Sequence, residues 1–470
     1  MVFSSVFFLF LFLPLVLLGY YLINDTLRNT FLLVASLIFY AWGEGELVLL
    51  MLASISINYV SGLGIDFFRS TKFANWITGL AIAINVLLLI YYKYLNFLVE
   101  NFQNAGFLSS ISYESIALPI GISFFTFQGI SYLIDVHRKE TEVQKNPLHL
   151  GLYIALFPQL IAGPIVRYHD IAKQISKRIV VRSIFSNGIR LFIRGLAKKV
   201  IIANSAAFIA DQTFAIPANE LPTSIAWIGI CCYTLQIYFD FSGYSDMAIG
   251  LGKMFGFHFR ENFNYPYIAS SVQEFWRRWH ISLSSWFRDY LYIPLGGNRK
   301  GNYRTYVNLL IVFFVTGLWH GANWTFIFWG LFHGLFLLLE RLGWIPLKKL
   351  PRIIRHVYLL LVVIVGWVFF RADTLTDALS YLSTLFGFTS GENYKPLLFI
   401  TNYTLGVFVL GLVFSAPLRK WIEKFTIENN QFELRQVSLA LQYVFYLALF
   451  VFSVMELAQS GYNPFIYFRF

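Results

Sequence analysis

The chain has 470 residues, of which 57% are hydrophobic, 19% aromatic and only 13% charged. A chain with this composition cannot cover its apolar surface in water, so the composition excludes a soluble globular protein and indicates an integral membrane protein. Lys and Arg outnumber Asp and Glu by 36 to 25, a net charge of +11. These basic residues cluster in alternate loops, which explains the excess without a nucleic-acid partner.

Apolar runs of roughly 15 to 22 residues without strand-like alternation predict an all-α, polytopic bundle of about eleven transmembrane spans. The first five predicted spans cover residues 3–23, 29–42, 47–65, 76–97 and 116–136. The first run lacks a basic n-region and a small-residue cleavage site, and we interpret it as a retained helix rather than a signal peptide. Basic residues after the first, third and fifth spans predict that the N-terminus lies outside.

The next run, residues 148–166, contains helix-breaking residues at Pro158 and at Gly163-Pro164. Its flanks are both basic, which favours a broken or re-entrant helix over a full crossing. The adjacent cysteines Cys231 and Cys232 lie within an apolar run and indicate neither an ordinary disulfide nor a metal site.

A basic stripe follows in residues 189–202, where Arg190, Arg194 and Lys198 recur every four residues. On a helix these side chains share one face. They are typical of residues that reach the lipid headgroups, and they also suit the phosphates of a donor such as coenzyme A. Both interpretations stay open.

Two acidic residues, Asp240 and Asp246, lie towards the end of a long apolar run that begins at Thr223. Gly243 and the neighbouring serines can interrupt the helix locally. Buried carboxylates can bind protons, orient a histidine or pair with arginines of the following segment. We include Asp240 among the candidate substrate-binding residues.

Residues 273–282, with the sequence QEFWRRWHIS, predict an amphipathic helix at the cytoplasmic interface. The spacing brings Glu274 to Arg277 and Arg278, and His280 to Ser284 and Arg288. One face would then combine the imidazole of His280, the hydroxyl of Ser284 and the guanidinium of Arg288. The candidate site residues of this segment are His280, Ser284 and Arg277. A tryptophan-anchored interfacial helix with ordinary ion pairs explains most of the same residues.

Residues 318–324, with the sequence LWHGANW, place His320 between two apolar runs of about 13 and 15 residues, at 306–318 and 325–339. Helices of that length rise only about 20 Å, so the lengths predict two half-spans that end inside the membrane. A polar group at that depth is costly and indicates function. A buried neutral imidazole can deprotonate a hydroxyl that attacks a thioester. The alternative is a packed corner between two helices.

With these residues assembled, the chain resembles the membrane-bound O-acyltransferase family, and most closely the alginate O-acetyltransferase branch of its bacterial members. The resemblance extends over almost the whole chain. The segments that carry it are residues 118–124, 157–164, 238–256, 274–300, 318–334, 366–372 and 462–465.

The resemblance implies a bundle around a central tunnel, with His320 as the catalytic histidine and His280 as the second histidine of the family. Asn323, Trp324 and His333 match the pattern of the branch around His320. We include Asn323 and Trp324 among the substrate-binding candidates, although Asn323 also suits a helix cap and His333 also suits helix packing. Whether His320 acts as a general base or as a nucleophile stays open.

The resemblance also implies an acyl group taken from a cytoplasmic thioester, with acetyl coenzyme A as the donor substrate and no further cofactor or metal. The acetyl group would pass to periplasmic partner proteins that modify an exopolysaccharide such as alginate. The location implied is the bacterial inner membrane.

For domain organisation we predict a single integral-membrane acyltransferase domain over residues 1–470. Within it, residues 1–140 would form scaffold helices, 141–345 the catalytic core and 346–470 the C-terminal helices.

Two other functions compete with acetyl transfer. One is D-alanyl transfer to teichoic acid, which requires a docking surface for a carrier protein. The other is a transporter for a small anion, with Arg190, Arg194 and Arg277 along its path. A transporter would depend on these charges and not on His320.

Overall fold

The structure, a computed structural model, describes residues 1–107, 113–388, 391, 394–418, 432–459 and 461–466. All regular secondary structure in these ranges is helical, which confirms the predicted all-α class. The chain divides into two compact units, Met1–Phe192 with Met247–Arg260, and Ile193–Asp246 with Glu261–Phe470. The single-domain organisation stays a prediction.

The first unit contains ten helices of the described chain, the tenth of which continues into the second unit, and also residues 247–254 at the end of a helix that begins in the second unit. They are α1 (Leu13–Leu22), α2 (Arg28–Glu44), α3 (Val48–Phe67), α4 (Phe73–Leu89), α5 (Leu95–Asn104), α6 (Ile122–Arg138), α7 (Pro147–Ala155), α8 (Phe157–Leu160), α9 (Tyr168–Ser176) and α10 (Arg182–Ala197). Two π-helical segments, Phe8–Phe12 and Ile90–Tyr94, precede α1 and join α4 to α5.

Helices α3, α4 and α6 pack against one another in this unit. Buried Asn58 and Asn85 exchange two amide hydrogen bonds between α3 and α4, at 3.2 and 3.1 Å. A Cβ atom at Gly129 of α6 would lie 2.6 Å from the Asn58 amide. Small residues and interhelical amide bonds hold apolar helices together where the hydrophobic effect cannot, so this trio fits a membrane environment.

The second unit continues from the end of α10 through a π-helical segment, Lys198–Ala203. Its further helices are α11 (Asn204–Phe214), α12 (Thr223–Met254), α13 (Val272–Arg278), α14 (Ile281–Phe287), α15 (Gly301–His320), α16 (Trp324–Leu342), α17 (Arg352–Arg371), α18 (Leu375–Leu385), α19 (Asn402–Phe414) and α20 (Phe432–Gln459). Helices α15, α16 and α17 pack in sequence, and α13 lies against α16.

Six stretches of the described chain are long and apolar enough to cross a membrane. They are Arg28–Phe67, Phe73–Asn104, Thr223–Met254, Trp324–Leu342, Arg352–Arg371 and Ala440–Gln459. The apolar helices Phe8–Leu22 and Asn402–Phe414 are shorter. The protein is therefore a multi-pass membrane protein, while the count of about eleven spans, the re-entrant path and the central tunnel stay predictions.

Two predictions about helix breaks had different outcomes. The break in residues 148–166 is confirmed, because α7 ends at Ala155 and α8 begins at Phe157. The interruption that Gly243 could allow does not occur, because α12 runs without a break from Thr223 to Met254. A Cβ atom at Gly243 would lie 2.7 Å from the carbonyl oxygen of Gly195, so this glycine allows close helix packing and does not end the helix.

Candidate active site

His320 is the last residue of α15, and Asn323 caps the start of α16. The two helices approach closely at glycines: a Cβ atom at Gly317 would lie 2.4 Å from the Phe326 carbonyl oxygen, and one at Gly330 would lie 2.3 Å from that of Phe313. Such contacts admit no side chain at either position. The tight pairing fixes where the turn that carries His320 lies.

The half-span lengths predicted around His320 were wrong. Helix α15 has 20 residues and α16 has 19, so each rises about 28 to 30 Å. Polar residues before position 306 and after position 339 continue the helices beyond the apolar runs. Helix length therefore gives no indication that these helices end at mid-membrane.

The turn after His320 is set by Asn323. Its side-chain oxygen accepts a hydrogen bond from the Thr325 amide at 3.0 Å, and its side-chain nitrogen donates to the Asp373 carbonyl at 3.0 Å. The first bond satisfies an orphan donor at the start of α16. The neighbouring Trp324 is half exposed.

A small cavity surrounds the buried imidazole of His320. The residues that line it are Ile237, Phe241, Trp279, His320, Trp329, Trp367, Phe370 and Ile466. The His320 ring contacts Trp329 at 5.0 Å and Phe370 at 5.2 Å between ring centroids, both edge to face. His320 is the one ionisable side chain among these lining residues, so the cavity presents a single acid–base group within apolar, water-excluding walls.

His280 occupies a break between α13 and α14, so the continuous amphipathic helix predicted over residues 273–282 was wrong. Its backbone is left-handed, with φ 43° and ψ 54°. Such a conformation costs a non-glycine residue about 1–3 kcal/mol and is concentrated at functional sites. The ring of Trp319 contacts both His280, at 5.9 Å, and His320, at 4.9 Å. His280 is thus separated from His320 by one aromatic side chain.

Asn262 holds this break and was missed by the sequence analysis. Its carbonyl accepts from the Ile281 amide at 2.9 Å, and its side-chain oxygen accepts from the amide and hydroxyl of Ser282 at 3.1 and 2.8 Å. The Nδ1 atom of His280 accepts from the Leu283 amide at 3.4 Å. Burial lowers the pKa of His280, which lies outside the candidate spans, to about 3, so its imidazole is neutral.

The side chains predicted to share a face with His280 differ in their surroundings. Glu274 pairs with Arg278 at 2.9 Å, as the spacing indicates, while Arg277 is exposed. The Ser284 hydroxyl donates to the Trp276 carbonyl at 3.4 Å, and Arg288 is exposed beside Asp289. The predicted combination of imidazole, hydroxyl and guanidinium on one face was wrong, because His280 is fully buried whereas Arg277 and Arg288 are exposed.

The acidic residues of α12 pair with lysines of the π-helical segment and not with arginines of the following segment. Lys199 and Asp240 form an ion pair at 2.7 Å with side chains 2% and 1% exposed, and Lys198 and Asp246 form one at 2.7 Å nearer the surface. The sequence indicated the acids but not the pairing with these lysines. Asp240 lies outside the lining of the His320 cavity.

His333 is fully buried against the rings of Trp276 and Trp329, at 5.3 and 5.4 Å. Neither ring nitrogen has a hydrogen-bond partner among the described residues. A Cβ atom at Gly366 would lie 2.6 Å from its Nε2 atom. These contacts favour a packing role for His333.

None of the five predicted substrate-binding residues lines the cavity that contains His320. These residues are Asn323, Trp324, Arg277, Ser284 and Asp240. Their contact with substrate stays a prediction, as do the catalytic roles of His320 and His280. The structure brings His320 together with Trp329, Trp367 and Ile466, which were not predicted as site residues.

Residues 122–376 match the membrane-bound O-acyltransferase family. The chain is 42% identical to the probable alginate O-acetylase AlgI of Azotobacter vinelandii over the full length of both proteins. It is 38% identical to the peptidoglycan O-acetyltransferase of Helicobacter pylori, over 82% of this chain and 80% of the relative. It is 31% identical to the teichoic acid D-alanyltransferase of Bacillus subtilis, over 46% of this chain and 58% of the relative. With a helical multi-pass architecture and this likeness over its full length, the chain belongs to the membrane-bound O-acyltransferase family, in its alginate O-acetylase-like branch, and is an acyltransferase.

Proposed function

We propose that this protein takes acetyl groups from acetyl coenzyme A at the cytoplasmic face of the bacterial inner membrane and transfers them to a hydroxyl acceptor reached from the opposite face. The observation that carries this proposal is His320, a single acid–base group in a cavity with aromatic walls. The full-length likeness to a probable alginate O-acetylase supports acetyl as the transferred group. No other cofactor is required.

In the simplest mechanism His320 is a general base. A ring nitrogen takes the proton from the acceptor hydroxyl while the oxygen attacks the carbonyl carbon of the thioester. The carbon–sulfur bond breaks, and the leaving thiolate receives the proton back from the imidazolium. Trp329, Trp367 and Phe370 exclude the water that would otherwise hydrolyse the donor.

A nucleophilic role uses the same geometry. A ring nitrogen of His320 attacks the thioester carbonyl, the carbon–sulfur bond breaks, and the leaving thiolate takes the proton of the other ring nitrogen. The acetyl-imidazole then transfers its acetyl group to the acceptor oxygen, and the hydroxyl proton returns to the imidazole. This route leaves an acetylated enzyme when no acceptor is present. Incubating the purified protein with labelled donor alone, and measuring label retained on the chain, separates the two routes.

The acceptor side is proposed to involve periplasmic partner proteins that deliver acetyl groups to an exopolysaccharide such as alginate. Relatives named for alginate and for peptidoglycan O-acetylation support a polysaccharide outside the cytoplasm as the final acceptor. The distribution of basic residues supports an N-terminus on this outer side of the membrane.

The second candidate is D-alanyl transfer from a carrier protein to teichoic acid. The likeness to a teichoic acid D-alanyltransferase supports it, although the match covers 46% of this chain. The relatives with full-length matches favour acetyl transfer instead. Membership of an acyltransferase family disfavours the anion transporter.

The test measures transfer of labelled acetyl from acetyl coenzyme A into the cell-envelope fraction, with partner proteins present. His320→Ala should lower transfer by at least a hundredfold, because general-base catalysis contributes about 10²–10⁴-fold. The matched control is His258→Ala, which removes an exposed histidine and should transfer at the native rate. Native activity in His320→Ala would contradict the proposal, and transfer only from a D-alanine-loaded carrier protein would favour the second candidate.

A further inference from the structure

The C-terminal segment of residues 462–466, called the tail below, runs into the core of the second unit. Phe465 and Ile466 are 7% and 6% exposed. The ring of Phe465 packs on that of Tyr244 in α12 at 4.8 Å. The Tyr462 hydroxyl donates to the Asp211 carboxylate, which also pairs with Arg371 of α17 at 2.7 Å. The tail is therefore fixed at its beginning by surface-facing polar contacts and farther along by packing.

The inner end of the tail is held by the buried ion pair of Lys199 and Asp240. The Lys199 ammonium donates to the Pro464 carbonyl, and the Ile466 amide donates to the Asp240 carboxylate at 2.8 Å. Two charges removed from water are stable only when further hydrogen bonds satisfy them. The tail backbone supplies one such bond to each partner, so the ion pair and the position of Ile466 depend on each other.

This anchorage places the Ile466 side chain in the wall of the cavity that contains His320. The rings of Trp279, Trp329 and Trp367 line the same cavity. The cavity has a volume of about 10 Å³, which is the space of roughly one water-sized group. Most of the lining residues belong to helices or are aromatic, whereas Ile466 belongs to a short segment held by the ion pair.

We propose that Ile466, positioned by Lys199 and Asp240, closes the acyl pocket beside His320 and restricts transfer to acetyl, an inference that rests on the proposed acetyl transfer. A pocket that admits little more than a methyl group rejects each additional methylene of a longer acyl chain. Ile466 is thus a specificity-determining residue, while Lys199 and Asp240 are positioning residues that act through it.

The experiment compares acetyl, propionyl and butyryl coenzyme A as donors for the full-length native protein and for Ile466→Ala. The quantity measured is the ratio of propionyl to acetyl transfer. One methylene in a hydrophobic pocket changes discrimination by about 10- to 200-fold, so Ile466→Ala should raise this ratio at least tenfold. A purely structural role for the tail would lower transfer from all donors equally and leave the ratio unchanged.

Ile225→Ala is the matched control, because it removes the same atoms from a fully buried position in α12 outside the cavity lining. Its ratio should equal that of the native protein. Ile466→Val, which removes a single methylene, gives a second measurement if Ile466→Ala folds poorly, with a smaller rise expected. Unchanged ratios in both Ile466 variants would overturn this inference alone. A native protein that transfers no acetyl would instead refute the proposed function, and this inference with it.

Discussion

The buried ion pair of Lys199 and Asp240 should make a large contribution to the free energy of unfolding. Lys199→Met leaves the Asp240 carboxylate, 1% exposed, without a compensating charge. Removing one partner of a buried pair costs about 3–5 kcal/mol. This loss is a large fraction of the roughly 5–15 kcal/mol that separates folded from unfolded states in ordinary proteins.

The chain offers a matched control one residue away. Lys198 pairs with Asp246 at the same distance, 2.7 Å, but with side chains 28% and 24% exposed. A pair that water reaches contributes about 0–1 kcal/mol, so Lys198→Met should lower the free energy of unfolding by no more than that amount. Both substitutions remove an ammonium group from the same π-helical segment, and burial is the main difference between the two pairs.

The assay is denaturant unfolding in mixed lipid–detergent micelles, followed by the fluorescence of the 12 tryptophans. The double variant Lys199→Met/Asp240→Leu should recover part of the loss, because two apolar side chains leave no buried charge. Recovery should stay incomplete, since the Ile466 amide then lacks its acceptor, which costs about 1–3 kcal/mol. Equal losses for Lys199→Met and Lys198→Met would refute this account of the buried pair.

Two further predictions concern packing and pH. Gly366→Ala should displace His333 and lower the free energy of unfolding by about 1–3 kcal/mol, whereas Gly79→Ala, where a Cβ atom meets open space, should cause no loss in the same unfolding assay. The pKa of His280 is about 3 in the folded protein and about 6.5 in the unfolded chain. As the pH falls below 6.5, only the unfolded state gains a proton at this residue, so the free energy of unfolding should fall. Asparagine tolerates the left-handed backbone and keeps an acceptor for the Leu283 amide. His280→Asn should therefore reduce the pH dependence of the free energy of unfolding by up to about 1.4 kcal/mol per pH unit between pH 6.5 and 4.5. An unchanged slope would contradict the lowered pKa of His280.

The helical class and the location of His320 between two helices were predictable from the sequence because both rest on local patterns. Apolar runs give the helices, and Pro158 gives the break between α7 and α8. The i,i+4 spacing gives the pair of Glu274 and Arg278. Each of these features depends on residues within a few positions of one another.

Other features depend on contacts between distant segments. The break at His280 contains neither glycine nor proline and is held by Asn262, which lies 20 positions before the Ser282 that it binds. The wall formed by Ile466 is fixed by Asp240, 226 positions away. Gly243 looks like a helix breaker until the approach of Gly195 is known. Local periodicity carries no information about such partners, which is why these predictions were wrong or missing.

The order of synthesis gives the tail a further consequence. Asp240 leaves the ribosome 226 residues before the Ile466 amide that it binds, a delay of roughly 10–45 s at about 5–20 residues per second. During that interval the Asp240 carboxylate lacks the hydrogen bond from the tail, and the cavity beside His320 lacks one wall. A nascent chain therefore completes the lining of the cavity beside His320 only after residues 462–466 have been made and inserted, and a chain that ends before Ile466 lacks this wall.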